Sequence, residues 1–266
     1  RGAGMVARNL LLVAHMQALA HGTAIPRRLP LFPIRRHAHV LSSCAKDGSV
    51  VQRIYRLASA GEVDRVVEAM EQLTAEELAL DTPLRLPPAK IGYQHVYSDA
   101  RFSIGIFMLP AGTSIPLHDH PHMTVLSKLL FGKLHVTSYD MPAAEEAGEV
   151  SPRPALFSAL RSRRRHHSLR CAPARRRVVE APSPTLRLDA IRGNLHAFQA
   201  LNDTAVFDVL LPPYDDLAGR SCNYYSEMHD ELADGQRVTL EKVPWPATLK
   251  IASMHYGGPT CGPGCE

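Results

Sequence analysis

The stretch that decides the fold is Gly112-Thr-Ser-Ile-Pro-Leu-His118-Asp-His120-Pro-His122-Met-Thr-Val-Leu-Ser-Lys-Leu-Leu-Phe-Gly132. His118 and His120 stand two residues apart after a strand-like segment, and an apolar strand and a turn glycine follow. Side chains at i and i+2 of an extended backbone point to the same face. Because both imidazoles can then reach one point, the pair predicts part of a metal site.

The composition is that of an ordinary globular chain. It has 266 residues, of which 45% are hydrophobic and 21% charged, which suits one domain of medium size with flanking extensions. No uninterrupted apolar run reaches the roughly 18 residues that a membrane span needs, so we expect no membrane insertion.

The two ends of the chain differ in composition from the middle. Residues 1–46 contain arginines but no Asp or Glu, which predicts a disordered basic extension or a transit-like segment rather than a secretory signal. Residues 259–266 form a Gly/Pro/Cys tail. The five cysteines are scattered and odd in number, which favours a reducing compartment. We therefore expect the cytoplasm, the nucleus or both, and an organelle if the extension is a transit peptide.

Residues 47–258 form the predicted domain, which begins with helices and continues with strands. Apolar residues recur at helical spacing from Val50, and Thr74 followed by Glu77 is a capping-box signature, so residues 47–88 predict a helical cap of three helices. Residues 89–258 predict an antiparallel β-barrel or sandwich, because short apolar segments alternate with turns and no helices intervene. The clearest predicted strands are Val125–Phe131, Leu134–Tyr139, Asn194–Gln199 and Ala205–Leu211.

A basic segment interrupts the predicted strands. Residues 151–177 carry nine arginines together with His166 and His167. Such a run can bind nucleic acid or act as a nuclear-import signal. It lacks the interleaved aromatic residues of a stacking surface, so we interpret it as a solvated insertion between two strands and expect no nucleic-acid partner.

The spacing around the histidine pair is close to the first motif of the cupin superfamily. Most cupins have a glutamate at the position of Val125, and its absence here indicates a site with three histidines. His196 follows Gly193 at the spacing of the second cupin motif and begins a strand, whereas Pro121 separates His122 from the pair. His196 is therefore the preferred third ligand, and the spacing alone fits zinc as well as iron.

Longer segments resemble one family, the plant cysteine oxidases, and more distantly the animal cysteamine dioxygenase. The matching segments are IGYQHVY, FSIGIFMLPAGTSIPLHDHPHMTVLSKLLFGKLHVTSYD, GNLHAF, AVFDVLLPPYDDLAGRSCNYY and LKIASMHYGGP. The resemblance implies a mainly β fold, the cupin double-stranded β-helix (jelly-roll barrel) with a small N-terminal helical cap. It also implies that His118, His120 and His196 bind one Fe(II).

Further residues are assigned through the resemblance. Asp208 and Tyr214 match residues that support activity in the family, and Cys222 and Tyr224 match its Cys-x-Tyr element. We expect Asp208 to order the substrate amine and Tyr214 to hydrogen-bond the reacting oxygens. Two positions differ from the usual H-N-H-P-G-M: Asp119 replaces Asn, and His122 replaces Gly. His122 could add a metal donor, crowd the substrate or compete as a ligand. Asp119, Asp215 and Asp216 are expected near the mouth of the site.

The resemblance also implies an activity. Its members add both atoms of O2 to the N-terminal cysteine of protein substrates, notably oxygen-labile transcription factors, and the sulfinic acid marks the protein for the N-degron pathway. Three neutral imidazoles leave the metal its full charge, which favours a bound thiolate. We expect this chain to be a monomer with that dioxygenase activity. The alternatives are a dioxygenase of a small thiol, cysteamine or cysteine, and a metal-binding cupin without catalysis.

Overall fold

The computed structural model describes residues 48–81, 83–86, 89–142, 168–228 and 237–263. The predicted extension (1–46), the first part of the basic segment (151–167, with His166 and His167) and the last three residues of the tail lie outside the described residues. No helix in the described part of the chain is long and apolar enough to cross a membrane.

Two helices begin the described chain, α1 (Val50–Ser59) and α2 (Val63–Met70). Ser49 starts α1 with a capping box: its hydroxyl accepts from the Gln52 backbone N–H at 3.2 Å, and the Gln52 side chain accepts from the Ser49 N–H at 3.1 Å. Gly61, at φ +74°, separates the two helices.

The predicted third helix is absent, and this prediction was wrong. The Thr74 hydroxyl accepts from the Glu77 N–H at 3.2 Å, as in the first half of a capping box. The segment forms only turns, however, and Ala79 has a left-handed φ of +52°. A left-handed residue cannot continue a right-handed helix.

Thirteen strands follow in the described residues. They are β1 (Ile91–Ser98), β2 (Ser103–Leu109), β3 (Ser114–His118), β4 (Thr124–Phe131), β5 (Lys133–Tyr139), β6 (Ser168–Cys171), β7 (Arg175–Glu180), β8 (Leu186–Leu188), β9 (Leu195–Ala200), β10 (Thr204–Leu211), β11 (Tyr224–Met228), β12 (Val238–Val243) and β13 (Ile251–Met254).

The strands form two sheets, which confirms the predicted mainly β double-stranded β-helix. The six-stranded sheet has the order β13-β1-β2-β10-β4-β8, and the seven-stranded sheet has the order β6-β12-β11-β3-β9-β5-β7. All pairs are antiparallel except β1 with β13. β4 and β5 belong to different sheets, and the turn between them is Gly132, where a Cβ would lie 2.4 Å from the Asp203 carbonyl oxygen.

The six-stranded sheet separates two apolar cores. On its outer face, Ile104, Ile106 and Phe207 pack with Ile54 and Met70 of the helices. On its inner face, the alternate residues of the same strands face the second sheet, where Leu109 and Val206 pack with a cluster that includes Phe198. This alternation follows from the two-residue period of a strand, and it leaves the space between the sheets for the site.

The predicted insertion between strands ends earlier than residue 177. Ser168–Cys171 and Arg175–Glu180 are strands of the seven-stranded sheet. The last ten residues of the range 151–177 are therefore β6, its connection to β7 and the first three residues of β7 rather than a solvated insertion.

Candidate metal centre

Three buried histidines meet between the sheets. His118 ends β3, His120 follows it in the loop to β4, and His196 lies in β9 directly opposite His118. One ring nitrogen of each lies within 4.8 Å of the others, and the Nε2 atoms of His120 and His196 are 3.4 Å apart. The structure thus brings together the three histidines named from the sequence.

Hydrogen bonds orient two of the rings. His118 Nδ1 donates to the Pro116 carbonyl at 2.8 Å, which leaves its Nε2 lone pair free. His120 Nδ1 lies 2.7 Å from the Tyr214 hydroxyl, which also lies 2.8 Å from the Asp119 carbonyl. Because the Tyr214 hydroxyl donates its hydrogen to that carbonyl, its oxygen accepts a hydrogen bond from the His120 Nδ1–H. Histidines that bind metals are held by such bonds at the other ring nitrogen.

Burial keeps the rings neutral. It lowers the pKa of His118, although the hydrogen bond to Pro116 acts in the opposite direction. Burial also lowers the pKa of His120 and His196 well below the usual value, and the neighbouring histidines lower it further. Neutral imidazoles are the form that binds metal. The donor set therefore fits a divalent cation such as iron or zinc, with further coordination positions open.

Two buried polar residues that the sequence did not single out in these roles hold the histidine loop. The Asn194 amide oxygen accepts from the His120 N–H at 3.0 Å, and its NH2 group donates to the His120 carbonyl at 2.8 Å. The Asp119 carboxylate accepts from the Asn223 backbone N–H at 2.8 Å and from the Tyr225 hydroxyl at 2.9 Å. Asp119 is therefore a buried brace, and the expectation that it lies at the mouth was wrong.

His122 lies outside the cluster. It is exposed, and the three histidines that the structure brings together do not include it. Its backbone has a left-handed φ of +59°, a conformation that favours glycine. The usual glycine at this position is therefore explained by the backbone.

An apolar cavity of about 90 Å³ adjoins the three histidines. Its walls include Phe107, Tyr224 and Trp245, and the described residues that line it include no Lys or Arg. Tyr214 and Asp208, both named from the sequence, also line it. Asp215 and Asp216 do not, although they follow Tyr214 directly in the chain.

Asp208 is the carboxyl side chain among the described residues that line this cavity. Burial raises its pKa to about 7, and a hydrogen bond from Ser127 opposes the shift. Its Oδ1 atom has no hydrogen-bond partner among the described residues. Tyr93 packs beside it because Gly105 has no side chain: a Cβ there would lie 2.6 Å from the Tyr93 hydroxyl. A buried, unpaired carboxylate oxygen is costly unless a ligand satisfies it.

Cys222 and Tyr224 also lie in the cavity wall, beside Tyr214. The Cys222 thiol is hydrogen-bonded to both tyrosine side chains, and burial raises its pKa to about 12. At neutral pH it is a protonated thiol rather than a thiolate.

Comparisons with known proteins decide the family. The family model PCO_ADO matches residues 64–261. The chain belongs to the PCO_ADO family. It is 37% identical to Plant cysteine oxidase 2 of Arabidopsis thaliana over 64% of this chain and 60% of that protein. It is 35% identical to 2-aminoethanethiol dioxygenase of Homo sapiens over 61% of this chain and 64% of that protein.

The match to these PCO_ADO relatives is partial in length. The chain spans about three fifths of the two curated relatives. Among solved structures, an RmlC-like cupin protein of Desulfovibrio desulfuricans aligns with 50% of this chain and 93% of its own, at 18% identity and a TM-score of 0.31.

Proposed function

We propose that this chain is a thiol dioxygenase that oxidises the N-terminal cysteine of protein substrates to cysteine sulfinic acid. Its family membership and its similarity to a plant cysteine oxidase support the reaction class. The observation that carries the proposal is that an unpaired carboxylate oxygen of Asp208 shares one apolar cavity with three neutral histidines.

His118, His120 and His196 are the proposed ligands of one Fe(II). A ferrous ion held there supplies the redox chemistry that adds both atoms of O2 to a thiol. The chain's own contribution is to hold the rings neutral and oriented, since Pro116 and Tyr214 bind the Nδ1 atoms of His118 and His120. Burial raises the pKa of Tyr214 well above its usual value, so the phenol remains protonated. We propose that it orients His120 as well as contacting the reacting oxygens.

Asp208 is the proposed partner of the substrate amine. An ammonium group beside it would satisfy the unpaired oxygen and favour the charged carboxylate. Free cysteine would also bring a carboxylate into a cavity whose described lining has no cation. An N-terminal cysteine has an amide in that place, and cysteamine has no such group. The cavity therefore favours these two substrates over free cysteine.

Cysteamine is the second candidate substrate. The similarity to 2-aminoethanethiol dioxygenase favours it, and it carries the same thiol and amine as an N-terminal cysteine. Only the peptide activity would connect the chain to the N-degron pathway and to oxygen sensing in the cytoplasm or nucleus, which we propose as its role.

The test compares four substrates on the full chain loaded with Fe(II) in air. They are a peptide with an N-terminal cysteine, the same peptide with an acetylated N-terminus, cysteamine and cysteine. We expect a mass gain of about 32 Da on the free peptide, and little on the acetylated control because Asp208 then has no amine to bind. Turnover of cysteamine alone would assign the small-thiol activity. Iron binding without turnover of any thiol would indicate a cupin without catalysis.

A further inference from the structure

A second cavity, of about 220 Å³, lies between the two edge strands β7 and β8. Its charged lining is basic. Four arginines border it: Arg175, Arg177, Arg187 and Arg192. Arg187 is opposite Leu126, which packs in the core on the helix side of the sheet, so its guanidinium lies on that outer face and the other three supply the basic lining. The described residues that line it include no Asp or Glu, and the remaining polar atoms include the hydroxyls of Ser127 and Ser138.

The three consecutive arginines of β7 stand on alternate faces of the strand. Arg175 is opposite Ser138 of β5, and Arg177 is opposite Val136. Both partners line the cavity, so Arg175 and Arg177 stand on the face between the sheets. Arg176 stands on the other face, where it pairs with Glu227 at 2.5 Å. Arg177 is therefore a candidate ligand-binding residue of the cavity, and Arg176, on the opposite face of the same strand, is its matched control.

The cavity keeps an uncompensated positive charge. Arg192 pairs with Asp189 at 3.0 Å, Arg187 pairs with Asp64 at 2.7 Å, and Arg175 pairs with Asp140. Arg177 has no ion pair with the described residues. None of the three carboxylates lines the cavity, and the guanidinium groups of Arg175, Arg177 and Arg192 each have five N–H donors. Donors therefore remain for a ligand.

This Arg cavity adjoins the metal centre. Val125, His196 and Phe198 line both cavities. Ser127 lines the Arg cavity and is hydrogen-bonded to Asp208, which lines the other. A single layer of side chains separates the two spaces.

We propose that the Arg cavity is an anion-binding site for carboxylate or phosphate oxygens. Guanidinium groups bind both by paired, charge-assisted hydrogen bonds. The volume is below the roughly 300–1,000 Å³ of sites that enclose a whole small molecule, which suits one acidic group. That group is either a free small anion or an acidic side chain of a peptide substrate, and the second source rests on the proposed function.

The binding test uses inorganic phosphate, titrated calorimetrically at low salt into the full chain without added metal. We expect saturable binding by the wild type, binding at least tenfold weaker for Arg177→Ala, and unchanged binding for Arg176→Ala. An unfolded variant would be detected by circular dichroism, in which case Arg177→Gln replaces it. Absence of saturable binding, or equal affinity in the two alanine variants, would overturn the proposal.

The source of the anion is decided on the iron-loaded chain. Two peptides with an N-terminal cysteine are compared that differ only by Asp or Asn at the fourth residue. If the substrate supplies the acid, the Asp peptide has the lower KM in the wild type and in Arg176→Ala, but not in Arg177→Ala. Equal KM values together with phosphate binding assign a free anion. If neither peptide is oxidised, the proposed function fails, while the phosphate titration still decides the anion site.

Discussion

Asp208 is buried, and one of its carboxylate oxygens has no hydrogen-bond partner among the described residues. Its pKa of about 7 in the folded chain lies above the ordinary value of 3.8. Between these two pH values the folded chain holds a proton that the unfolded chain has released. Folding of the metal-free chain is therefore penalised increasingly as the pH rises through this window, and the penalty is constant above it.

Asp208→Asn removes this penalty because the amide is neutral at every pH. The variant should therefore become more stable relative to the wild type as the pH rises. We expect the difference in their free energies of unfolding to increase by up to about 4 kcal/mol between pH 4 and pH 8. Urea unfolding of both metal-free proteins at each pH measures it. The buried histidines titrate in both proteins, so their effect cancels in the difference. A difference independent of pH would mean that Asp208 is solvated.

His122 occupies a left-handed backbone conformation at φ +59°. Such a conformation costs a residue with a Cβ roughly 1 kcal/mol relative to glycine. We expect His122→Gly to raise the free energy of unfolding by about 0.5–1 kcal/mol and to leave metal binding unchanged. His122→Ala is the control, because alanine keeps the Cβ. Stabilisation of both variants alike would assign the effect to the imidazole instead of the backbone.

At this scale, the sequence predicted the residues that follow a motif and missed those that depend on tertiary contacts. His196 could be named because Gly193 and the following strand match a known spacing. Asn194 lies between them, but its hydrogen bonds join it to a loop 74 residues away, and no local pattern records this. Asp119 looked like a surface acid because its partners, Asn223 and Tyr225, lie more than 100 residues away.

At the scale of elements, one ion pair ties the helical cap to the six-stranded sheet. Lys128 of β4 pairs with Glu71, which follows α2, and also donates to the Ser183 carbonyl at 2.8 Å. The Lys128 side chain is 7% exposed, whereas that of Glu71 is 40% exposed. Glu71 also accepts from the Thr185 N–H at 2.6 Å, so the pair joins the cap to the β7–β8 connection.

The unequal burial predicts unequal costs for removing the two charges. Glu71→Gln leaves a buried ammonium without its counter-charge, and we expect a loss of about 2–3 kcal/mol in the free energy of unfolding. Lys128→Met leaves a carboxylate that water can reach, and we expect a loss below about 1 kcal/mol. Urea unfolding of the two variants compares them. The reverse order would show that Lys128, rather than Glu71, keeps access to water.

Among the elements, regular strands were predictable and edge strands were not. β4, β5, β9 and β10 begin and end within one residue of their predicted bounds, because apolar residues alternate or run continuously in them. β6 and β7 contain four arginines and lie at or near sheet edges. The arginines of β7 stand on both faces of the strand, which removed the apolar pattern that identifies a strand.

At the scale of the whole molecule, the metal site joins parts of the chain that are distant in sequence. A cation bound by His118, His120 and His196 connects β3, its following loop and β9, and the unfolded chain has no such site. Binding therefore stabilises the fold by mass action. With metal at 100 times its dissociation constant, we expect the midpoint of thermal unfolding to rise by roughly 5–10 °C.

The measurement is thermal unfolding with and without ferrous ion under anaerobic conditions. His196→Ala should lose the rise, because one of three ligands is gone. His135→Ala is the control: His135 lies on β5 next to β9 but outside the cluster, and the variant should keep the rise. If His196→Ala retains the full rise, His196 does not hold the metal.

The parallel pairing of β13 with β1 joins residues 251–254 to residues 91–94. Leu249 and Ile251, which precede and begin that last strand, also line the cavity beside the histidines. During synthesis on the ribosome, the histidines and Asp208 emerge well before this wall of the cavity exists. The cavity beside the histidines is therefore enclosed only once translation has passed residues 249–251, so a product truncated before them would have the three histidines without the enclosure.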